Sequence, residues 1–247
     1  MSRTAVRTIH ILELIARESK GLTLSEISQE LEIPITSVND IVKALRETEM
    51  IELIDERSKV YGIGVKAYSI GNAFIVNTSL IDKTKSVIEE LGRTTGKTVF
   101  LGKEVSGRIT YIYKYEPENP LVATCSIGSR TSLHCTSLGK CIMAHKPELL
   151  ASLEGKELKG RTAWSITDYA ELVKDVKLVG ERGYAIDDRE QNDHLLCIGA
   201  PIFDSHGDVI AAVSISGLYS EEVDCDKEGR MVKDAALRIS ARLGYKG

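Results

Sequence analysis

Pro34 cuts a run of helical apolar periodicity into two short pieces, and that break constrains most strongly what the chain can build. Upstream of it, Ile27 and Leu31 recur at helical spacing, and Ser25 stands where it can cap their helix. Downstream, Val38, Ile41, Val42 and Leu45 repeat on one helical face, with Thr36 as the expected cap. Proline lacks the amide N–H and clashes with the preceding turn, so Glu32-Ile33-Pro34 ends the first helix. A longer amphipathic helix over residues 5–19, carrying Val6, Ile9, Leu12 and Ile15 and stopped by Lys20-Gly21, precedes the pair and needs a partner for its stripe. Two short helices joined by a turn of three or four residues and packed on a third make helix-turn-helix geometry.

Met50 to Ile54 and Lys59 to Ile63 read as strands flanking a charged tip, Asp55-Glu56-Arg57-Ser58, which gives the unit a hairpin wing. Residues 65–79, with Ala67, Ile70, Phe74 and Val76, read as a connecting helix, and a domain boundary is expected near Leu80. The layout is therefore a winged helix-turn-helix over 1–64, a linker helix over 65–79 and a second domain over 80–247. In that second domain helices are expected at 81–92, 136–145, 168–182 and 221–243. Strands are expected at 98–104, 108–115, 196–203 and 208–216. Hairpins bracketed by helices make an α+β domain.

A chain of 247 residues is long enough for two cores. No apolar stretch reaches the ~18 residues a bilayer span needs, and the basic N-terminus leads into an amphipathic pattern rather than a signal sequence, so a cytoplasmic protein without membrane partners is expected. Five cysteines without a Cys-x-x-Cys pair read as reduced thiols.

The second short helix is the one that would enter a DNA major groove, with its N-terminal side chains at base edges. Thr36, Ser37, Asn39 and Lys43 fall on its exposed face, and Asn pairs with adenine through two hydrogen bonds. Ile35 suits a thymine methyl. Residues 1–64 carry eight basic against eleven acidic groups, so phosphate contacts must be gathered locally from Arg3, Arg7, Lys43, Arg57 and Lys59, with Ser25 on the preceding helix. Asp40 is a negative charge in the middle of that helix.

Catalysis finds no support. There is no Gly-x-x-x-x-Gly-Lys-Ser/Thr loop, because His134 stands where its first glycine belongs, and there is no Gly-x-Ser-x-Gly elbow. No cofactor and no metal is expected. The alternative is a metal or redox sensor built from His134, Cys135, Cys141 and His145, in which Cys141 and His145 share a helix face.

The chain resembles the isocitrate-lyase-regulator (IclR) family along almost its whole length. The matching stretches are Thr8 to Leu12, Leu24 to Ile27, Tyr61-Gly62-Ile63-Gly64, Gly96 to Val99, His134 to Lys140, Arg182 to Asp188, Cys197 to Asp204 and Ser214 to Gly217. Their order and spacing carry the likeness. The resemblance implies a winged helix-turn-helix joined to a GAF-like effector-binding domain, assembled as a homodimer or homotetramer on a palindromic operator in double-stranded DNA. A small organic acid would tune the DNA affinity, most often of a repressor. The implied effector site comprises the amides of Ser137 and Leu138 at a helix start capped by Thr136, with Asp187, Cys197, Ser214 and Ser216 opposite. Two local departures stand out: Asp40 where the family usually carries arginine, and His194 where it usually carries glycine.

Overall fold

Pro34 separates two helices in the structure, but the helices start in other ways than the pattern suggests. The computed structural model describes residues 2–77, 79–118 and 125–247, and the chain divides into two units, Met1–Thr78 and Ser79–Gly247. In the first, helix α1 (Arg3–Arg17) is capped by the Ser2 hydroxyl and buries Ile11 and Ile15. A two-residue strand β1 (Leu22–Thr23) leads into α2 (Leu24–Glu30), and α3 (Ile35–Glu47) follows the turn.

Ser25 does not cap α2. Thr23 does, its hydroxyl accepting from the Glu26 amide at 3.3 Å while the Glu26 carboxylate accepts from the Thr23 amide at 2.8 Å. A reciprocal box of this kind needs Glu or Gln three residues after the cap, and Ser25 has Ser28 there. Ser25 lies exposed in the first turn. Thr36 is likewise no cap: α3 begins one residue earlier, at Ile35, with Pro34 in the cap position and no side-chain hydrogen bond. The fixed φ of proline, here −53°, delivers the chain into helical conformation before Thr36 is reached.

Strands β2 (Ile51–Asp55) and β3 (Val60–Ile63) form the hairpin, and Asp55 closes its tip by accepting from the Arg57 amide and the Ser58 hydroxyl, both at 2.8 Å. β1 pairs with the other edge of β3, so the sheet order is β1-β3-β2. Ile11, Ile15, Ile27, Ile33, Val38, Ile41, Val42, Leu45, Ile51 and Tyr61 form one buried cluster, and Ile33 brings the turn itself into it. Helix α4 (Val65–Asn77) follows the wing. The side chains of Phe74 and Val76, expected among its apolar set, lie outside the described residues.

In the second unit, α5 (Ser79–Thr95) is followed by β4 (Thr98–Val105), β5 (Arg108–Tyr115) and β6 (Arg130–Ser132), then by α6 (Ser137–Met143) and α7 (Pro147–Ala151). Next come α8 (Tyr169–Arg182), β7 (Ala185–Asp188), β8 (Leu195–Phe203), β9 (Val209–Leu218) and α9 (Cys225–Arg242). The six strands form one sheet in the order β6-β5-β4-β9-β8-β7, with every pairing antiparallel. α5 and α9 pack together on one face, while α6 packs on β8, β9 and α8 from the other. The α6 side is sealed by a cluster including Phe100, Ile109, Tyr111, Leu138, Ile142, Leu172, Val176 and Val179. Among the described residues no helix is long and apolar enough to cross a membrane.

Candidate functional site

Two rows of side chains run across the middle of the second sheet on the face toward α6. Strand register pairs Asp187 with Cys197, Cys197 with Ser216, and Ser216 with Thr98. Two residues along, Gly199 pairs with Ser214 and Ser214 with Phe100. Side chains alternate between the faces of a strand, so a spacing of two puts both rows on one face. Gly199 lets the start of α6 rest on that face: a Cβ added there would stand 3.1 Å from the Ser137 hydroxyl oxygen. Gly139 is closer still to its neighbour, since an added Cβ would lie 2.1 Å from the Leu133 carbonyl oxygen.

Between α6 and the sheet lies a cavity of about 250 Å³. Ser137, Leu138, Asp187, Cys197, Ser214 and Ser216, the six residues singled out from the sequence, all line it. Its other walls are Phe100, Tyr111, Cys125, Thr136, Gln191, Asn192 and Leu195. Phe100 and Tyr111 sit on strands already evident from alternation, and pairing β4 with β9 would have placed Phe100 beside Ser214. Gln191 and Asn192 come from the β7–β8 connection, where no periodicity marks them, and Leu195 opens β8.

The cavity is polar at its α6 end and acidic at its β7 end. The Thr136 hydroxyl accepts from the Gly139 amide at 3.2 Å and donates to the Ser132 carbonyl at 3.1 Å, while the Lys140 amide donates to the Thr136 carbonyl at 3.0 Å. That leaves the amides of Ser137 and Leu138 as the unsatisfied donors of the first turn, at the positive end of the helix dipole. The Cys197 thiol donates to the Ser216 hydroxyl at 3.3 Å, which leaves that hydroxyl's own proton available to a ligand in the cavity it lines. Ser214 is 3% exposed, and among the described residues no hydrogen-bond partner meets its hydroxyl.

Asp187 is 2% exposed. One of its oxygens accepts from the amides of Glu190 at 2.8 Å and Gln191 at 3.2 Å, fixing the β7–β8 connection over the cavity, and the other makes no hydrogen bond among the described residues. Burial, reinforced by the charge of Glu190, pushes its carboxyl up to about 7. Behind it lies Lys140, 1% exposed, which sequence reading passed over. Its ammonium pairs with Glu190 and, at 2.6 Å, with Asp175, and donates to the Ile186 carbonyl at 3.1 Å. Burial opposes that charge, but the two carboxylates outweigh it and hold Lys140 protonated.

The histidines and cysteines offered for metal or redox chemistry do not converge. Burial pushes the Cys135 thiol up to about 11 and Cys141 to about 12, so neither is a ready thiolate. His134 sets its Nε2 3.2 Å from the Lys159 carbonyl, and His145 packs edge-on to Phe203. Among the described residues no group of three or more His, Cys, Asp or Glu side chains could hold a metal ion.

In the first unit, Thr36, Asn39 and Lys43 are exposed on α3, Ser37 is half-buried, and Ile35 is 49% exposed ahead of them. Arg57 and Lys59 are exposed at the wing tip, and of the α1 arginines Arg3 is exposed and Arg7 half-buried. Asp40 shares the exposed side of α3.

Comparison with known proteins places this geometry. Residues 4–53 match the IclR helix-turn-helix domain, and residues 72–241 match the C-terminal domain of bacterial IclR transcriptional regulators. The transcriptional regulator BhcR of Paracoccus denitrificans is 33% identical over 245 residues, spanning 98% of this chain and 86% of that protein. The transcriptional repressor AllR of Escherichia coli is 28% identical, spanning 97% and 90%. The crystal structure of IclR from Thermotoga maritima superposes with a TM-score of 0.78 at 28% identity, covering 98% of this chain and 99% of that one. An IclR homologue from Microbacterium hydrocarbonoxydans, complexed with 4-hydroxybenzoate, shares the fold with a TM-score of 0.85 at 18% identity, covering 97% and 98%. The chain belongs to the IclR family of bacterial transcriptional regulators.

Proposed function

We propose that this regulator is a repressor whose hold on a palindromic operator is set by a small carboxylate bound in the α6 cavity. One observation carries the reading: a space of about 250 Å³ under the start of α6, in which two helix amides face hydroxyls and a buried carboxyl. Drug-sized pockets start at ~300 Å³, so the occupant is a small metabolite. Its acid group is received by the amides of Ser137 and Leu138, and Ser214 and Ser216 hold its remaining oxygens. The Microbacterium homologue, whose ligand is itself a small carboxylic acid, supports that chemistry.

In the same reading α3 enters the major groove, with Thr36, Ser37 and Asn39 at base edges and Lys43 on phosphate. Ser25, Arg3, Arg7 and the wing-tip Arg57 and Lys59 contact the backbone of the duplex. The chain acts as a homodimer or homotetramer, because paired recognition helices must meet half-sites about one helical turn apart. Effector binding changes that spacing.

Fluorescence anisotropy of the protein on DNA from upstream of its own gene, with and without small carboxylates, tests this. The expected result is salt-sensitive binding that one acid weakens. Ser137→Trp should abolish the response to acid and spare DNA binding; an unchanged response would remove the cavity from the account.

A further inference from the structure

Among the described residues lining the cavity there is no lysine, arginine or histidine, and its one carboxyl is Asp187. The nearest ammonium, Lys140, is committed to Glu190, Asp175 and a backbone carbonyl. An anion entering this space therefore finds two amides and two hydroxyls as donors, and a carboxyl as the opposing wall.

We infer that the cavity accepts effectors with at most one negative charge, and that a carboxylate effector enters together with a proton that rests on Asp187. The inference rests on reading the cavity as the effector site and names the ligand class that fits it. Two like charges in a buried space a few ångströms across repel strongly, and proteins relieve such pairs by protonating one member. The second oxygen of Asp187 then becomes an O–H donor to the ligand, completing a donor set with Ser214, whose hydroxyl meets no hydrogen-bond partner among the described residues. The proton comes from solvent and leaves with the ligand. A second carboxylate on the effector would find neither a cation nor another acid able to take up a proton at that end, so dicarboxylates are excluded.

The groups facing Asp187 are Cys197 from β8, Tyr111 from β5, Cys135, Glu190 from its own connection and Lys140 from α6, with Cys125 beside Tyr111 and Cys197. Burial pushes the Cys197 thiol and the Tyr111 hydroxyl up, away from neutral pH, and Lys140 is held charged. Glu190 is also raised by burial, so it is the control. With the Asp187 carboxyl at about 7, affinity for a monocarboxylate is flat below that pH and falls as pH rises above it. The limiting slope is about tenfold per pH unit.

The test uses the full-length protein with matched acids: butyrate and succinate, 4-hydroxybenzoate and terephthalate. Thermal shift and calorimetry from pH 5.5 to 8.5 should show a monocarboxylate binding and its dicarboxylate partner at least tenfold weaker. Calorimetry at pH 8 in two buffers of different ionisation enthalpy should count about one proton taken up. Asp187→Asn should bind the monocarboxylate with a flat pH profile, and Glu190→Gln should keep the slope. A dicarboxylate binding as tightly as its partner, or a wild-type profile flat across this range, overturns the inference while leaving the cavity as the effector site. Silence of all four acids overturns the carboxylate reading and this inference together.

Discussion

The ammonium of Lys140 lies 2.6 Å from a carboxylate oxygen of Asp175, at the end of a side chain 1% exposed. With Glu190 on its other side, one buried cation faces two carboxylates, and the set joins α6, α8 and the connection that covers the cavity. Lys140→Met would leave those carboxylates buried without a counter-charge. Removing one partner of a buried pair costs about 3–5 kcal/mol. Urea denaturation should show that loss at pH 7 and a smaller one at pH 5, because burial raises the Glu190 carboxyl and favours its protonation once the ammonium is gone. An equal loss at both pH values would mean that the stem of Lys140, not its charge, is what the site uses.

Gly199 should tolerate no side chain without moving α6. An alanine Cβ would sit 3.1 Å from the Ser137 hydroxyl oxygen and 3.2 Å from the Ser137 carbonyl carbon, closer than ordinary contact. Gly199→Ala is expected to cost about 1–3 kcal/mol, as overpacked sites do. Gly199→Val should also abolish the effect of an acid on DNA binding without changing that binding in its absence. Retention of the acid response by the valine variant would show that the start of α6 does not hold the ligand.

The helix-turn-helix was legible because its signals are local: a 3.6-residue apolar repeat, a proline and a hairpin tip follow one another between Ile27 and Ser58. Its caps were not. Ser25 and Thr36 looked suitable by residue type, but Thr23 had the glutamate at the right distance and Pro34 started α3 early. The strands β1, β6 and β7, two to four residues long, carry too few residues for alternation to register. The six cavity residues came from the family resemblance; nothing in their spacing collects them, since the rows across the sheet depend on strand order. Lys140 was invisible as a buried cation because Asp175 and Glu190 stand 35 and 50 positions away in the sequence.

Protonation of Asp187 should show in stability as well as in binding. Its carboxyl is raised from the usual 3.8 to about 7 in the fold, so between those values the folded chain holds a proton that the unfolded chain has lost. The sign follows: this contribution is fully present at low pH and is lost as pH rises through about 7. A tenfold change in proton affinity is worth ~1.4 kcal/mol, which limits the fall to about 4 kcal/mol. The fall runs from about pH 4 to about pH 7, so denaturant titrations at pH 5 and pH 8.5 should show wild type losing most of it across that interval and Asp187→Asn losing less. Parallel losses in the two proteins would assign the fall to another group.

The recognition helix offers the sharpest separation of roles. Lys43 and Asn39 are both exposed on α3, four residues apart, but they would meet different parts of DNA. If Lys43 neutralises a phosphate, Lys43→Ala weakens operator and unrelated DNA alike, and the dependence of log affinity on log salt becomes shallower by about one. If Asn39 reads an adenine edge, Asn39→Ala costs about 1–3 kcal/mol on the operator and almost nothing on unrelated DNA. Asp40→Asn removes a negative charge from the same exposed side and should tighten both, more so at low salt. Anisotropy titrations of the three variants at 50 and 200 mM salt distinguish these patterns. Equal weakening of operator and unrelated DNA by Asn39→Ala would take that residue off the base edge and leave sequence reading to Thr36 and Ser37.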